Sequence, residues 1–480
     1  MVFTFTAISS SKIDVASGTG TLTDLYNDAN AHTPGTITNP SANVYEIGGN
    51  VELELSGTTQ LTIETGDTIQ WNRTSNGVSI DLQTSATIIF EDGSTMIGDT
   101  NGTHMSYNYF YGAVDVQGTV GTGVVWDLTG RNQFMPYGIS SAANGGVQTI
   151  NYLTVQDCVS SSGYPIYWQP GTTSCIDDVQ HTYENITVIG GPTEAIGNAW
   201  LAYWNFGSYH NFTFNNIDLT NGNGFLCYAT TNLKIDGGTA LNGDTDSRIY
   251  AQPGVGLAAS AYSTVNDGEF GSHTRNQNKT LFANYTFDDG DNGVYTAGTI
   301  DRGGVIYFDT CTFQNGTYSF YANRGIAVLY NCTDTTTNGP RYNTGSYGGG
   351  TVLHARKMTL NVKDSGASPI ADATVTFRQK EGREHWTCKT DSNGDVLDPK
   401  GDPIWLIEKE ETSNGVFTQW SDGSGNQVHV IEVMKDGYDP HYEEIAMTAD
   451  KTANVVLAVE GSGAAGTIIY DSTLYDSTIY

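Results

Sequence analysis

One short phrase occurs twice between 305 and 333. Phe308-Asp309-Thr310-Cys311-Thr312 returns as Leu329-Tyr330-Asn331-Cys332-Thr333, each position displaced by 21 residues. Between the copies lie an apolar run, Tyr318-Ser319-Phe320-Tyr321, and a corner of Asn, Arg and Gly. A stretch this short cannot bury its own apolar side, so each copy must stack on the next. The phrase therefore predicts a chain that winds round an axis in extended runs and tight corners.

The pattern extends towards the N-terminus. Asn185-Ile186-Thr187-Val188, Asn211-Phe212-Thr213-Phe214, Asn232-Leu233-Lys234-Ile235 and Asn284-Tyr285-Thr286-Phe287 share it, and Tyr152-Leu153-Thr154-Val155 echoes it. The asparagines are spaced by 26, 21 and 52 residues, the last interval leaving room for one more circuit. Earlier still, Val51-Glu52-Leu53-Glu54-Leu55, Leu61-Thr62-Ile63-Glu64, Thr68-Ile69-Gln70-Trp71, Ile80-Asp81-Leu82 and Ala86-Thr87-Ile88-Ile89-Phe90 alternate strictly. Period-2 alternation puts one side of a strand inward and the other outward. Turn residues separate these runs, as two or three strands per circuit would require. The expectation is a parallel β-solenoid.

Composition agrees with an all-β chain. Glycine (57) and tyrosine (28) are abundant among 480 residues. The one short helix expected is Thr21-Leu22-Thr23-Asp24-Leu25-Tyr26-Asn27-Asp28-Ala29-Asn30-Ala31, with Thr or Asp as N-cap. The 21 Lys and Arg against 52 Asp and Glu give a net charge of −31. That balance argues against nucleic acid and anionic membranes as partners and favours solubility. No apolar run approaches the ~20 residues a bilayer span needs, so membrane insertion is not expected. The start carries no basic region followed by an apolar core, so no secretory signal is read there. A solenoid without one fits a virion component.

Changes of texture suggest four segments: a cap or attachment segment over 1–43, the solenoid over 44–353, a second domain over 354–460, and a linker with a Tyr-rich strand over 461–480. The solenoid resembles the right-handed parallel β-helix superfamily of pectate lyases, pectin hydrolases and phage tailspikes. Pro369-Ile370-Ala371-Asp372-Ala373-Thr374-Val375-Thr376-Phe377, Thr390-Asp391-Ser392-Asn393-Gly394-Asp395-Val396 and Lys435-Asp436-Gly437-Tyr438 follow one another in the second domain. Their order resembles the carboxypeptidase regulatory-like (transthyretin-like) family. That resemblance implies a small Ig/transthyretin-like β-sandwich, a structural module without chemistry of its own.

Function is expected on protruding aromatic corners. Ser106-Tyr107-Asn108-Tyr109-Phe110-Tyr111 is one, Gly163-Tyr164-Pro165-Ile166-Tyr167-Trp168 another, and the richest runs from Trp200 to His210. Trp168, Trp200, Tyr203, Trp204 and Tyr209 are the candidate glycan contacts, an aromatic ring offering an apolar face with a polar tip. The plainer reading packs these rings along the flank or between subunits. In the tail, Tyr470, Tyr475 and Tyr480 recur with period five and suggest an assembly strand that pairs with another subunit.

No catalytic residue is assigned. Pectin hydrolases of this shape carry an ordered set of motifs on neighbouring circuits. Here Asp177-Asp178 precedes Asn216-Ile217-Asp218, His210 lacks its glycines, and Arg248 lacks its lysine partner. No cofactor is expected apart from calcium, for which Asp391, Asn393 and Asp395 have odd-position spacing but misplaced glycine and final acid. No metal site is assigned there, since a tight turn explains these residues better. Stacked Cys311 and Cys332 read as small buried hydrophobes, with a disulfide or a metal pair as the alternative, although no Cys-x-x-Cys or Cys/His spacing supports zinc. The expectation is a non-enzymatic virion surface structural protein, a tail spike, tail fibre or capsid decoration. It would pair with itself, in a trimer for example, and with other virion proteins, and would bind host-surface glycans. The alternatives are a polysaccharide lyase or hydrolase, marked by carboxylates converging with raised pKa values, and a cellular adhesin or surface-layer component.

Overall fold

A computed structural model of the chain describes residues 2–101, 104, 106–127, 133–135, 148–158, 166–168, 182–190, 200–204, 212–220, 224–228, 233–241, 250–252, 280–288, 299–301, 305–323, 326–342, 350–379, 385–397, 404–416, 422, 424 and 426–461. For several middle strands, Ile166–Trp168 and Trp200–Trp204 among them, the description is of the backbone alone. The protein is all-β with one helix among the described residues, and that helix is too short to cross a membrane.

Most strands fall into three parallel ladders, which the chain visits in turn. The first runs through Lys12–Ser17, Glu52–Leu55, Gly77–Leu82, Ser106–Phe110 and Gln133–Met135. It continues through Ile166–Trp168, Trp200–Trp204, Gly224–Tyr228 and Tyr250–Gln252, and ends on Thr299–Asp301, Tyr321–Asn323 and Arg341–Tyr342. The second includes Thr19–Thr21, Gln60–Ile63, Thr87–Glu91 and Ala113–Gln117. The third includes Val44–Gly48, Thr68–Asn72, Thr95–Ile97 and Val124–Asp127. From Gln148–Cys158 to Thr280–Asp288 one long strand serves both the second and third ladders. They separate again into Val305–Asp309 and Thr312–Gln314.

Alternation sets which residues face the core. Ile13, Val15, Leu53, Leu55, Leu61, Ile63, Ile69, Trp71, Ile88 and Phe90 are fully buried in one cluster, while the residues between them stay partly exposed. Aromatic partners in register stack: Phe282 on Phe308 with ring centroids 5.8 Å apart, and Phe287 on Phe313 at 5.2 Å. Truncating one such ring in a core costs about 3–5 kcal/mol.

The repeated phrase pairs as its 21-residue displacement requires, Phe308 with Leu329 and Asp309 with Tyr330. The upstream alignment differs in one place. Phe212 falls in register with Leu233, as the 21-residue step from Asn211 to Asn232 requires, but Asn185 aligns with Asn216, because Ile186 pairs with Ile217. The Asn-apolar pattern heads both straight runs of the long strands, and the 26-residue step from Asn185 to Asn211 joins one run to the other.

The expected helix forms over Leu22–His32 with Thr21 as N-cap. Thr21 and Asp24 each accept from the other's backbone N–H, a capping box that satisfies two otherwise orphaned donors. Leu22, Leu25 and Ala29 join the ladder core. Thr4–Ile8 pairs antiparallel with Lys12–Ser17, so the first strand of the first ladder is not left as a bare edge.

Contacts divide the chain into two compact units, the second drawing on Arg356–Glu408 and residues after Thr418. In it, His385–Lys389, Thr374–Gln379, Val428–Met434 and His441–Ala446 form an antiparallel sheet. The segment from Met358 to Asp364 pairs in parallel with Lys451–Leu457 and antiparallel with Asp395–Val396. Val375, Phe377, Ile431 and Val433 meet Leu360, Val362, Val455 and Leu457 in its separate core.

Candidate functional site

The outer side of the first ladder carries the most concentrated chemistry among the described residues. In Lys12–Ser17 and Glu52–Leu55, burial of Ile13, Val15, Leu53 and Leu55 turns Lys12, Asp14, Glu52 and Glu54 outward. On the next two strands Asp81, Tyr107 and Tyr109 face outward by the same alternation. Register brings them into rows: Asp14 pairs with Glu54, Glu54 with Asp81, and Asp81 with Tyr109. Neighbouring strands are about 4.8 Å apart, so these side chains are adjacent though far apart in sequence.

Two features result. Tyr107, Tyr109 and Tyr111 lie in one stacked file, with centroids 6.3 and 6.4 Å apart and ring planes 5° and 29° from parallel. Beside them, Glu52, Glu54 and Asp81 each place a carboxylate oxygen within 4.8 Å of the others. Lys12 forms an ion pair with Glu54, and that hydrogen bond raises the lysine's pKa.

Crowding three acids on a partly buried surface disfavours their charged forms. Asp81 is pushed up to about 6, first by burial and then by Glu52 and Glu54. Burial also raises Glu52, and burial with the nearby Asp81 charge raises the Tyr111 phenol. Asp81 is thus about half protonated near pH 6 and largely ionised at neutral pH.

Arg73 supports this arrangement from inside. It is 1% exposed. Its Nε donates to Ser79 Oγ at 3.1 Å, its Nη2 to the Val78 carbonyl, and its backbone N–H to Asp99 Oδ1 at 3.2 Å. The ladder register slips at this point: Tyr107 pairs with Val78, but Asn108 pairs with Ile80. The extra residue, Ser79, turns inward and contacts Ser106 Oγ. Arg73 thus holds the bulge that brings Asp81 opposite Tyr109. Gly77 leaves room for it, since a Cβ there would lie 3.2 Å from Nη1.

The aromatic candidates take a different position from the protruding corners expected of them. Ser106–Phe110, Ile166–Trp168 and Trp200–Trp204 are strands of the first ladder. Trp168 pairs with Tyr203, Trp200 with Gly224, Tyr203 with Cys227 and Trp204 with Tyr228. The reason is that aromatic residues fit a pleated surface as well as they fit a loop. The side chains of Trp168, Trp200, Tyr203 and Trp204 lie outside the described residues, as do Tyr209 and the tail residues Tyr470, Tyr475 and Tyr480.

The sequence reading passed over Glu52, Glu54 and Asp81, although Glu-Leu-Glu-Leu and Ile-Asp-Leu mark all three as outward. Their grouping depends on a register spanning 27 residues from Glu54 to Asp81. Three acidic oxygens are ligands of the type a calcium ion takes, although the Lys12 ammonium engages Glu54. The Asp391 loop spends its acids on a turn: Asp391 Oδ1 accepts from the backbone N–H of Asn393 and of Asp395, both at 2.8 Å. Asp395 Oδ1 accepts from Asn361 Nδ2. No protein-family model matches the chain, and no curated protein is detectably similar to it.

Proposed function

We propose that the chain is a non-enzymatic surface structural protein that holds a neutral glycan along the outer side of its first ladder. In this reading the ladders form a right-handed parallel β-helix, and the second unit is a small Ig/transthyretin-like β-sandwich. The setting is the one the sequence suggests, a virion surface on which the chain assembles with itself and with other virion proteins. The cyclic order of the three ladders and their register steps, most of them of 20 to 35 residues, support the β-helix.

The file of Tyr107, Tyr109 and Tyr111 beside three carboxylates carries the glycan reading. A pyranose ring presents C–H faces to aromatic rings and hydroxyls to carboxylates, and here both lie on one sheet face. Charge narrows the class. A net charge of −31, with three acids at the site, repels uronate and sulfated chains and leaves neutral polysaccharides.

Calorimetric titration with neutral and uronic oligosaccharides tests this. Neutral oligosaccharides should bind, Tyr109→Ala should weaken them at least tenfold, and uronic ones should not bind. Equal affinity in wild type and Tyr109→Ala would overturn the proposal.

One observation favours a second reading, a polysaccharide-cleaving enzyme. The carboxylates converge within 4.8 Å, and Asp81 keeps its proton to about pH 6. Asp81 would protonate the leaving oxygen while Glu52 or Glu54 attacks or activates water. Release of reducing ends by wild type, lost in an Asp81→Asn variant that still binds, would select it.

A further inference from the structure

Cys311 and Cys332 share one column of the corner between the second and third ladders. Asp309 pairs with Tyr330 and Thr312 with Thr333, which makes the cysteines register partners. The residues before them, Thr310 and Asn331, adopt matching left-handed conformations with φ of 56° and 49°. The two corners therefore have one backbone shape and send their Cα–Cβ bonds the same way. A strand spacing of about 4.8 Å falls within the 4.4–6.8 Å Cα separation of disulfides.

The thiols follow the same pattern. Cys311 Sγ donates to the Phe282 carbonyl at 3.3 Å and Cys332 Sγ to the Phe308 carbonyl at 3.4 Å. Phe282 and Phe308 are themselves register partners. The neighbouring Cys332 thiol adds to the rise that burial imposes on the Cys311 pKa, and both thiols are free. They differ in access: Cys311 is 1% exposed, whereas Cys332 is partly open to solvent.

We propose that Cys311 and Cys332 form a redox-sensitive pair, in which a peroxide oxidises Cys332 and Cys311 then closes a disulfide between successive strands of the ladder. In the first step the Cys332 sulfur attacks one peroxide oxygen and the O–O bond breaks. Cys332 becomes a sulfenic acid, and the other oxygen leaves as water. In the second step the Cys311 sulfur attacks the Cys332 sulfur. The S–S bond forms, the S–O bond breaks, and the hydroxyl departs with the Cys311 proton as a second water. Two thiols lose two electrons and two protons, and one peroxide becomes two waters. Burial drives the Cys311 pKa well up, which keeps this thiol inert until a sulfenic acid forms beside it. The bond closes a loop within one circuit and restricts the unfolded chain.

Full-length protein treated with hydrogen peroxide, then digested without reduction and weighed by mass spectrometry, provides the test. The expected product is a cross-linked pair of peptides holding Cys311 and Cys332, lighter by two hydrogens. The oxidised protein should unfold at higher denaturant than the reduced one, and dithiothreitol should reverse this. Cys311→Ser should leave Cys332 as sulfenic or sulfinic acid, and Cys332→Ser should leave Cys311 unreacted. Wild type in which Cys332 proceeds to sulfinic acid, pairs with another cysteine or another molecule, or stays unreacted would overturn the proposal.

Discussion

Asp81 shows how one residue can cost the fold stability while supplying chemistry. Its folded carboxyl titrates near 6 instead of 3.8, because burial and the neighbouring Glu52 and Glu54 oppose its charge. Between these pH values the folded chain keeps a proton that the unfolded chain has released. Stability therefore falls as pH rises through that window and stays lowered above it. Asp81→Asn should stabilise the protein by about 1 kcal/mol at pH 8, allowing for solvent screening of a partly exposed group, with no gain below pH 3.8. Urea denaturation at the two pH values checks this, and an equal effect at both would refute the account. Alternation in the sequence shows that Asp81 faces outward. It does not show that Tyr109 and Glu54 flank it, because the bulge at Ser79 shifts the register by one residue. That bulge depends on a buried arginine whose role no local pattern reveals.

At the scale of elements, the corner between the second and third ladders is the most regular feature. Tyr152, Asn185, Asn216, Gly237, Asn284, Thr310 and Asn331 occupy one register column, all with positive φ. Asparagine tolerates this left-handed conformation better than other side-chain-bearing residues. Here it also forms a ladder, Asn185 Nδ2 donating to Asn151 Oδ1 at 2.9 Å and Asn216 Nδ2 to Asn185 Oδ1 at 2.8 Å. Asn185→Ala should therefore cost about 2–3 kcal/mol, from backbone strain and two lost hydrogen bonds. Asn185→Gly should cost roughly half of that, since glycine keeps the conformation. Denaturant midpoints of the two variants separate the contributions, and equal losses would exclude backbone strain. The recurring Asn was legible because this corner selects it. The step from Asn185 to Asn211 misled because the same residues head both straight runs, and only pairing across the sheet distinguishes them.

At the scale of the molecule, contacts divide the chain into two compact units, with Ala355 in the first and Arg356 in the second. The two units should respond to acid in opposite ways. In the second, His429 is fully buried and its Nε2–H donates to the Ile407 carbonyl at 2.8 Å. Burial lowers its pKa to about 4 against 6.5 when unfolded. The neutral ring thus contributes stability that is complete above 6.5 and lost as pH falls towards 4. From pH 7 to 4.5 the loss is about 2.5 kcal/mol. In the ladder unit the signs differ. Protonating Asp81 removes a penalty, and fewer charges on a chain of net −31 means less self-repulsion. Glu411, held at about 2 chiefly by its hydrogen bond to His354, stays ionised through this window. Amide exchange, corrected for the intrinsic pH dependence, should show protection in Val428–Met434 and Thr374–Gln379 falling roughly a hundredfold between pH 7 and 4.5. Protection in Gln60–Ile63 and Thr87–Glu91 should hold or rise. His429→Gln, which keeps a donor for the Ile407 carbonyl but cannot titrate, should abolish the fall. A parallel loss in both units, or one that survives His429→Gln, would assign acid sensitivity to the carboxylates instead.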